Sequence, residues 1–428
     1  MTENGSKGPG RRQFMRRAAM AAGGAIVAPN IITSAALGAA ARAPAGERIV
    51  VGAIGIGGRG RSNLGAFMNM PDVQVVAVCD AHGGRREQSR SIVNARYGNR
   101  DCAAYVDARE LLARPDIDAV SIATGDNNHA LLSILAARAG KDIYCEKPMS
   151  VTIGESRAAA DAMRRFARIY QCGTQRRNVG NFVFAANLAR SGKLGKLTTL
   201  HAERAHWRPG VKFTVLPEEP QPGRDVMDWN VWLGVSPWRP YNATYHARGF
   251  WKDHGDWSGG SITEWGSHTV DLCQWANDSD DTTPKHYRVL NDALDVECVY
   301  ENGVRLLIRS GLRFGTCPVR FEGEDGWIET GDNNTMEVHP KSLRTERRFS
   351  GRHFHGNHIR EFLDCVKSRK QPICNADVAH HAITACHCAN IAVRLGRAVE
   401  WAPAKEEFVG DEEANRLRRR ASREPWRV

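Results

Sequence analysis

Three side chains able to move or steady a proton stand out from their surroundings. Lys147 lies between Glu146 and Pro148 at the end of an apolar run. A desolvated ammonium there could donate to a reacting hydroxyl and steady the charge that develops on its oxygen. Further along, Gly259-Gly260-Ser261-Ile262-Thr263-Glu264-Trp265-Gly266-Ser267-His268-Thr269-Val270-Asp271 places Glu264, His268 and Asp271 at i, i+4 and i+7. If 262–276 is helical, the three share one face. A carboxylate beside an imidazole fixes its tautomer and raises its basicity, as removal of a hydroxyl proton near neutral pH requires. The plain alternatives are a surface lysine in a turn and a helical histidine that only packs.

The aromatic residues suggest what such a site would hold. Eight of the 11 Trp lie between Trp207 and Trp275, joined by Tyr241, Tyr245, His206 and His246. Flat, partly polar rings on irregular loops suit the apolar faces of a sugar, with Trp and Tyr edges left for hydroxyls. The competing reading is a Trp-rich core or subunit interface. Arg176, Trp207, Tyr245, Trp265 and Asp271 are the candidate substrate contacts.

A second ligand is implied nearer the start of the chain. The β-branched run from Ile49 leads directly into Gly55-x-Gly57-x-x-Gly60, with a helix expected from about Ser62. In a dinucleotide-binding turn the first Gly makes the bend, the second admits the pyrophosphate and the third lets helix approach strand. The pyrophosphate then lies against free N–H groups at the helix N-terminus. A further apolar run, 73–79, ends in Asp80, where a carboxylate would meet the adenosine ribose hydroxyls. That acid favours NAD by repelling a 2′-phosphate, while Arg85 and Arg86 leave NADP open.

The elements needed to position these groups follow from the apolar pattern. Strands at 117–124, 142–145 and 169–173 alternate with helices at 85–97, 108–113, 129–139 and 153–166, which implies a doubly wound parallel sheet. Ligands bind such sheets at the carboxyl ends of strands, where Asp80, Thr124, Lys147 and Gln175 all fall. After a helix at 181–191 the pattern changes. Strands at 197–207, 285–290, 295–300, 304–312, 319–322 and 326–330 succeed one another without helices, as in a largely antiparallel, open-faced sheet covered on one side. Helices at 357–368 and 377–395 follow.

At 428 residues the chain suits two domains. Its formal charge of +11 does not read as a nucleic-acid signal. Residues 1–43 hold six basic residues against one acid, and the later run Arg416, Arg418, Arg419, Arg420 reads as a solvated helix face. No basic run is interleaved with aromatics. Arg11-Arg12-Gln13-Phe14-Met15-Arg16 precedes a mildly apolar stretch with small residues at 41–45, the pattern of a twin-arginine export signal, hence a periplasmic or exported protein. Gly, Pro and Asn interrupt that stretch, which argues against a stable membrane span. The 11 scattered cysteines read as buried free thiols. His380, His381, Cys386 and His387 share a helix, but its other positions look like core and surface, so no metal is expected.

Together Gly55-x-Gly57-x-x-Gly60, the Thr124 loop with His129, Glu146-Lys147-Pro148 and the Glu264-x-x-x-His268-x-x-Asp271 block resemble the Gfo/Idh/MocA oxidoreductases over about residues 48–402. Asp228-Trp229…Trp232-Leu233-Gly234 and Arg423-Glu424-Pro425-Trp426 are similar to exported members. The resemblance implies a signal peptide at 1–43, a Rossmann domain at 48–175, a substrate and oligomerisation domain at 176–402 and a tail at 403–428. It implies a homo-oligomer, tightly held NAD(P) and a sugar, glycoside or polyol substrate. Lys147 would be the catalytic lysine, His268 the proton acceptor and Glu264 its partner. Gly55, Gly57, Gly58, Arg59, Gly60, Asp80, Thr124, His129, Glu146, Lys147 and Gln175 would hold the cofactor. Two departures stand out: Glu264 replaces the usual Asp, and Gly125 the usual Pro. The expected activity is oxidation of a secondary hydroxyl. The alternatives are an NAD-dependent glycosidase working through transient C3 oxidation and elimination, and a non-catalytic NAD(P)-binding protein.

Overall fold

The computed structural model describes residues 43–204, 211–247, 249–332, 334–345 and 354–427. Contacts divide the chain after Arg48. The expected export signal and the candidate Trp207 lie outside the described residues.

From Ile49 onward two sheets are formed. The first contains β1 (Ile49–Ile54), β2 (Val73–Cys79), β3 (Ala103–Tyr105), β4 (Ala119–Ile122), β5 (Asp142–Cys145) and β6 (Tyr170–Cys172), in the order β3-β2-β1-β4-β5-β6. Every pairing is parallel. Between them run α1 (Gly58–Met68), α2 (Gly83–Tyr97), α3 (Ala108–Leu112), α4 (His129–Arg138) and α5 (Ile153–Phe166). Strands buried on both faces need small or apolar residues in both registers, which is why β1 (Ile-Val-Val-Gly-Ala-Ile) and β4 (Ala-Val-Ser-Ile) show no apolar–polar alternation. Phe67 and Leu64 of α1 pack on one face of the sheet and Leu131, Leu132 and Ile134 of α4 are buried elsewhere in the core.

After α6 (Gly180–Arg190) and β7 (Leu197–Glu203), the chain passes through loops bearing four short helices. These are α7 (Trp229–Leu233), α8 (Ala243–His246), α9 (Gly260–Glu264) and α10 (Gly266–Ala276). It then adds β8 (His286–Val289), β9 (Val296–Val299), β10 (Arg305–Arg309), β11 (Val319–Gly323), β12 (Trp327–Thr330) and β13 (Met336–His339). Then come α11 (Phe354–Ser368), α12 (Ala376–Leu395), β14 (Val399–Ala402), β15 (Glu407–Phe408) and α13 (Glu412–Arg416). The second sheet has nine strands in the order β13-β12-β11-β7-β10-β9-β8-β14-β15. Within this sheet only β7 and β10 pair in parallel among the described strands. Helices α6, α10 and α12 cover one face.

The fold class is therefore as the sequence implies, with local corrections. Helix α1 starts at Gly58, four residues before the expected Ser62, so the Gly motif runs into the first helical turn, with Gly57 as N-cap and Gly60 inside it. The segment expected as one helix over 262–276 is two, broken at Trp265. Helix α11 does not stay with the second sheet: its Ile359, Phe362 and Leu363 join Phe67 and Tyr144 in the core of the first. The late arginines are a solvated face only in part. Arg416 and Arg419 are exposed, but Arg420 pairs with Glu155 and Arg418 donates to the Glu406 carbonyl, binding the tail to the body. All 11 cysteines are buried and free. No described helix is long and apolar enough to cross a membrane.

Candidate active site

The carboxyl ends of β1, β2, β4 and β5 open into a cleft of about 830 Å3 whose other wall comes from the Trp-rich loops and α9–α10. The turn after β1 is shaped for a phosphate group. Gly55 has φ +78°, and a side chain on it would also strike the Thr124 backbone nitrogen at 2.6 Å. Gly60 lets α1 approach so closely that a Cβ would stand 1.9 Å from the Gly55 carbonyl oxygen. At Gly58 an added Cβ meets nothing within 4 Å, so the space in front of the helix N-terminus is open. Its N-cap, Gly57, has no side chain to cap the first N–H groups, which leaves them for an anion. Asp80 accepts from Ile56 N at 2.7 Å and His82 N at 2.8 Å, which fixes its carboxylate at the cleft edge. Its remaining lone pairs suit ribose hydroxyls. These features fit a dinucleotide.

Of the two arginines that follow Asp80, Arg86 is committed to the Asp80 carbonyl at 2.8 Å, whereas Arg85 lines the cleft. Arg59 and Thr124 line it as well, and His129 Nδ1 donates to the Pro148 carbonyl at 2.7 Å. That bond ties the loop after β4 to the loop carrying Lys147. It also fixes the His129 tautomer, leaving Nε2 unprotonated, buried and without a partner among the described residues. Glu146 lines the cleft and accepts from Asn63 at 3.1 Å and Gln175 at 3.2 Å. Gln175, expected at the cofactor, is instead buried behind the strand ends, its amide spent on Glu146 and Tyr144.

Where the end of β5 meets the opposite wall, the expected proton-transfer group is arranged differently from a Glu–His pair. Lys147 Nζ donates to the Glu264 carbonyl at 2.8 Å and to Glu264 Oε2 at 3.2 Å. Lys252 Nζ donates to the same Oε2 at 2.9 Å. Burial alone would raise the Glu264 carboxyl, but the two ammonium groups overcome it and hold it down to about 2. Glu264 is thus an ionised counter-charge to two lysines, and His268 Nδ1 is buried with no hydrogen-bond partner among the described residues. The break at Trp265 explains the correction. It interrupts the helix whose i, i+4 spacing would have placed Glu264 over His268. Burial, then the charges of Arg176 and Lys147, push His268 well below its ordinary value, so it stands neutral in the cleft.

Two further candidates are placed in the interior. Asp271 is buried, both its oxygens accept from Arg177 at 2.9 Å, and it does not line the cleft. Tyr245 is 1% exposed, its hydroxyl accepting from Leu216 N at 2.7 Å inside an aromatic cluster with Trp229 and Trp257. The aromatic region is therefore divided. Trp229 and Trp257 are core, while Trp232, His246, Trp251 and Trp265 line the cleft. Arg176 also lines it, held by Asp332 at 2.7 and 2.9 Å.

Sequence reasoning passed over Lys252, Asp126 and Trp426, all of which line the cleft. Nothing near Lys252 signals a role, because it sits in a single 3-10 turn, Trp251–Asp253, with no motif around it. Asp126 could have been found, since it directly follows the Thr124-Gly125 strand end. Burial and then the Glu264 charge raise its carboxyl well above the usual range. His380, His381 and Glu406 bring nitrogen and oxygen atoms within 4.8 Å of one another. Both nitrogens of His380 are already bonded, to Ser156 and Glu406, and Glu406 also carries Arg157.

Comparison with known proteins agrees with this geometry. Residues 49–174 match the family model described as oxidoreductase family, NAD-binding Rossmann fold, and residues 206–428 that described as oxidoreductase family, C-terminal alpha/beta domain. A glycosyl hydrolase family 109 protein of Shewanella baltica is 28% identical over 212 residues, 46% of this chain and 45% of that one. Inositol 2-dehydrogenase of Salmonella typhimurium is 30% identical over 152 residues, 35% of this chain and 44% of the relative. The chain thus spans about half the length of the curated relatives it matches. The aldose-aldose oxidoreductase of Caulobacter crescentus, solved with glycerol, shares the fold with a TM-score of 0.60 at 17% identity, over 82% of this chain and 99% of that one.

Proposed function

Since the chain belongs to the Gfo/Idh/MocA oxidoreductase family, we propose that it oxidises a secondary hydroxyl of a sugar, glycoside or polyol with a tightly held nicotinamide cofactor. NAD is preferred over NADP because Asp80 guards the ribose position. The observation that carries the reading is the convergence of Lys147, Glu264 and His268 on a cleft whose far wall is the Gly55–Gly60 turn. A bound nicotinamide supplies the hydride acceptor. Side chains do the rest.

Lys147 is paired with the Glu264 carboxylate, and the two bonds it makes at Glu264 leave an N–H for the substrate oxygen. The ammonium steadies that oxygen as charge shifts toward it. His268 takes the proton. Its burial makes it a weak base, but a hydroxyl whose carbon is being oxidised becomes strongly acidic, so a neutral imidazole suffices. Trp251 and Trp265 offer faces for the sugar ring. Export through a twin-arginine route, which carries folded proteins, and assembly into a homo-oligomer belong to the same reading.

The test is an absorbance and fluorescence spectrum of the purified protein before and after adding a panel of glycosides and polyols, with no cofactor supplied. A nicotinamide signal that changes redox state with one substrate class supports the reading. A protein that neither contains nor binds nicotinamide overturns it. A second reading has one specific feature in its favour, the cleft carboxyl Asp126, which burial and then the Glu264 charge raise well above the usual carboxylate range, the direction a proton donor to a leaving group needs. Release of the aglycone from an aryl glycoside without external NAD, through transient oxidation at C3, would establish this glycosidase chemistry over simple dehydrogenation.

A further inference from the structure

The segment that follows α13 reaches the cleft. Arg420 donates to Glu155 Oε1 at 2.6 Å and to the Asp256 carbonyl at 2.6 Å. Arg423 donates to Asn230 Oδ1 at 2.6 Å and the Gly234 carbonyl at 2.8 Å. These bonds fasten the segment to both walls and deliver Trp426, which is only 4% exposed, to the cleft lining.

The surroundings of that ring are those of a stacking site. It packs with Leu131 and Val235, and the Arg109 guanidinium lies over it, 4.5 Å from the ring centroid. Arg109 is held by Asp107, the second residue after β3, at 3.0 and 3.1 Å. The end of β3 is bonded to the end of β2 through Asp80 N and the Tyr105 carbonyl at 3.2 Å. Trp426 therefore stands on the Asp80 side of the cleft, away from the Lys147–Glu264 pair. Its indole Nε1 is buried with no partner among the described residues. A buried donor left unpaired is costly, so an acceptor from a ligand is the natural completion.

We propose that Trp426, clamped by Arg109, forms a wall of the slot that takes the adenosine end of the dinucleotide, its ring face against the adenine and its in-plane indole N–H left for an acceptor on the adjoining ribose. The inference rests on the nicotinamide reading above. It gives the closing segment a role in cofactor retention: the tail bonded across the two walls must detach before the adenine end can leave.

The test is calorimetric titration of protein stripped of bound nucleotide with NADH, ADP-ribose and nicotinamide mononucleotide, for wild type, Trp426→Ala and Trp426→Phe. Loss of an aromatic stacking partner weakens base binding on the order of ten- to a hundred-fold. That loss is expected in Trp426→Ala for NADH and ADP-ribose, with mononucleotide binding unchanged and Trp426→Phe keeping most of the affinity. Unchanged ADP-ribose binding in Trp426→Ala overturns the proposal. An equal loss for the mononucleotide also overturns it, because the ring then acts through the fold. Wild-type protein that binds none of the three ligands overturns the cofactor reading itself, a result distinct from the others.

Discussion

The two walls of the cleft are built on different principles. On the Rossmann side each functional group lies within a few residues of a strand end, and the same local sequence supplies both the backbone and the chemistry. Gly55 bends the chain, Gly60 seats the helix and Asp80 ends the next strand, all within 26 residues. Across the cleft, Glu264 of a short helix and Lys252 of a single 3-10 turn meet Lys147, which follows Rossmann strand β5, only because the two domains fold against each other. A wall made of local motifs tolerates little change in backbone. A wall assembled from distant charges depends on their balance.

The largest effect is expected from the chemistry that joins the walls. Lys147→Met and His268→Ala should each lower kcat by on the order of 10²–10⁴ while NADH binding persists. Stopped-flow reduction of the bound nicotinamide measures the first and calorimetry the second. If nucleotide binding fell in step with kcat, the two walls would not be separable.

Next comes the buried pair beneath the site. Asp271→Asn leaves the fully buried Arg177 guanidinium partly uncompensated, and breaking such a pair costs about 3–5 kcal/mol. Urea denaturation should show that loss, whereas activity per folded molecule, assayed at low temperature, should stay close to wild type. A selective fall in activity with stability intact would return Asp271 to the substrate.

The smallest expected change is a pH dependence. Glu264 has its folded value lowered from 4.5 to about 2 by Lys147 and Lys252 against its burial. Its contribution to stability is therefore full above about pH 4.5 and is lost as pH falls toward 2. Glu264→Gln should lower Tm at pH 6 to 7, and the gap from wild type should close on acidification. A gap independent of pH between 7 and 3 would mean that the carboxylate is not the counter-charge of the two lysines.

Much of the first wall was legible because period, glycine spacing and strand-end chemistry are local properties. The helix at 153–166 and the strand at 142–145 lie where the apolar pattern puts them. Gln175 was misread because a strand end shows which residues can reach a ligand, not which have been turned inward by a neighbour such as Tyr144. Glu264 and His268 were misread as a pair because helical spacing carries over only through an unbroken helix, and Trp265 breaks this one. The strands β3, β13, β14 and β15 were missed: they run two to four residues, and none forms the continuous apolar run that revealed the equally short β5.

By itself the sequence determined the doubly wound sheet, the phosphate-binding turn and the identity of the chemical groups. Each follows from interactions among residues close together in the chain. The tertiary structure alone decided which of those groups meet. It set Glu264 between two lysines, withdrew Asp271 and Tyr245 into the core and carried Trp426 from the tail into the cleft. The reason is physical: the energy of a charge pair or a stacked ring depends on distance and burial in space, and separation along the chain fixes neither.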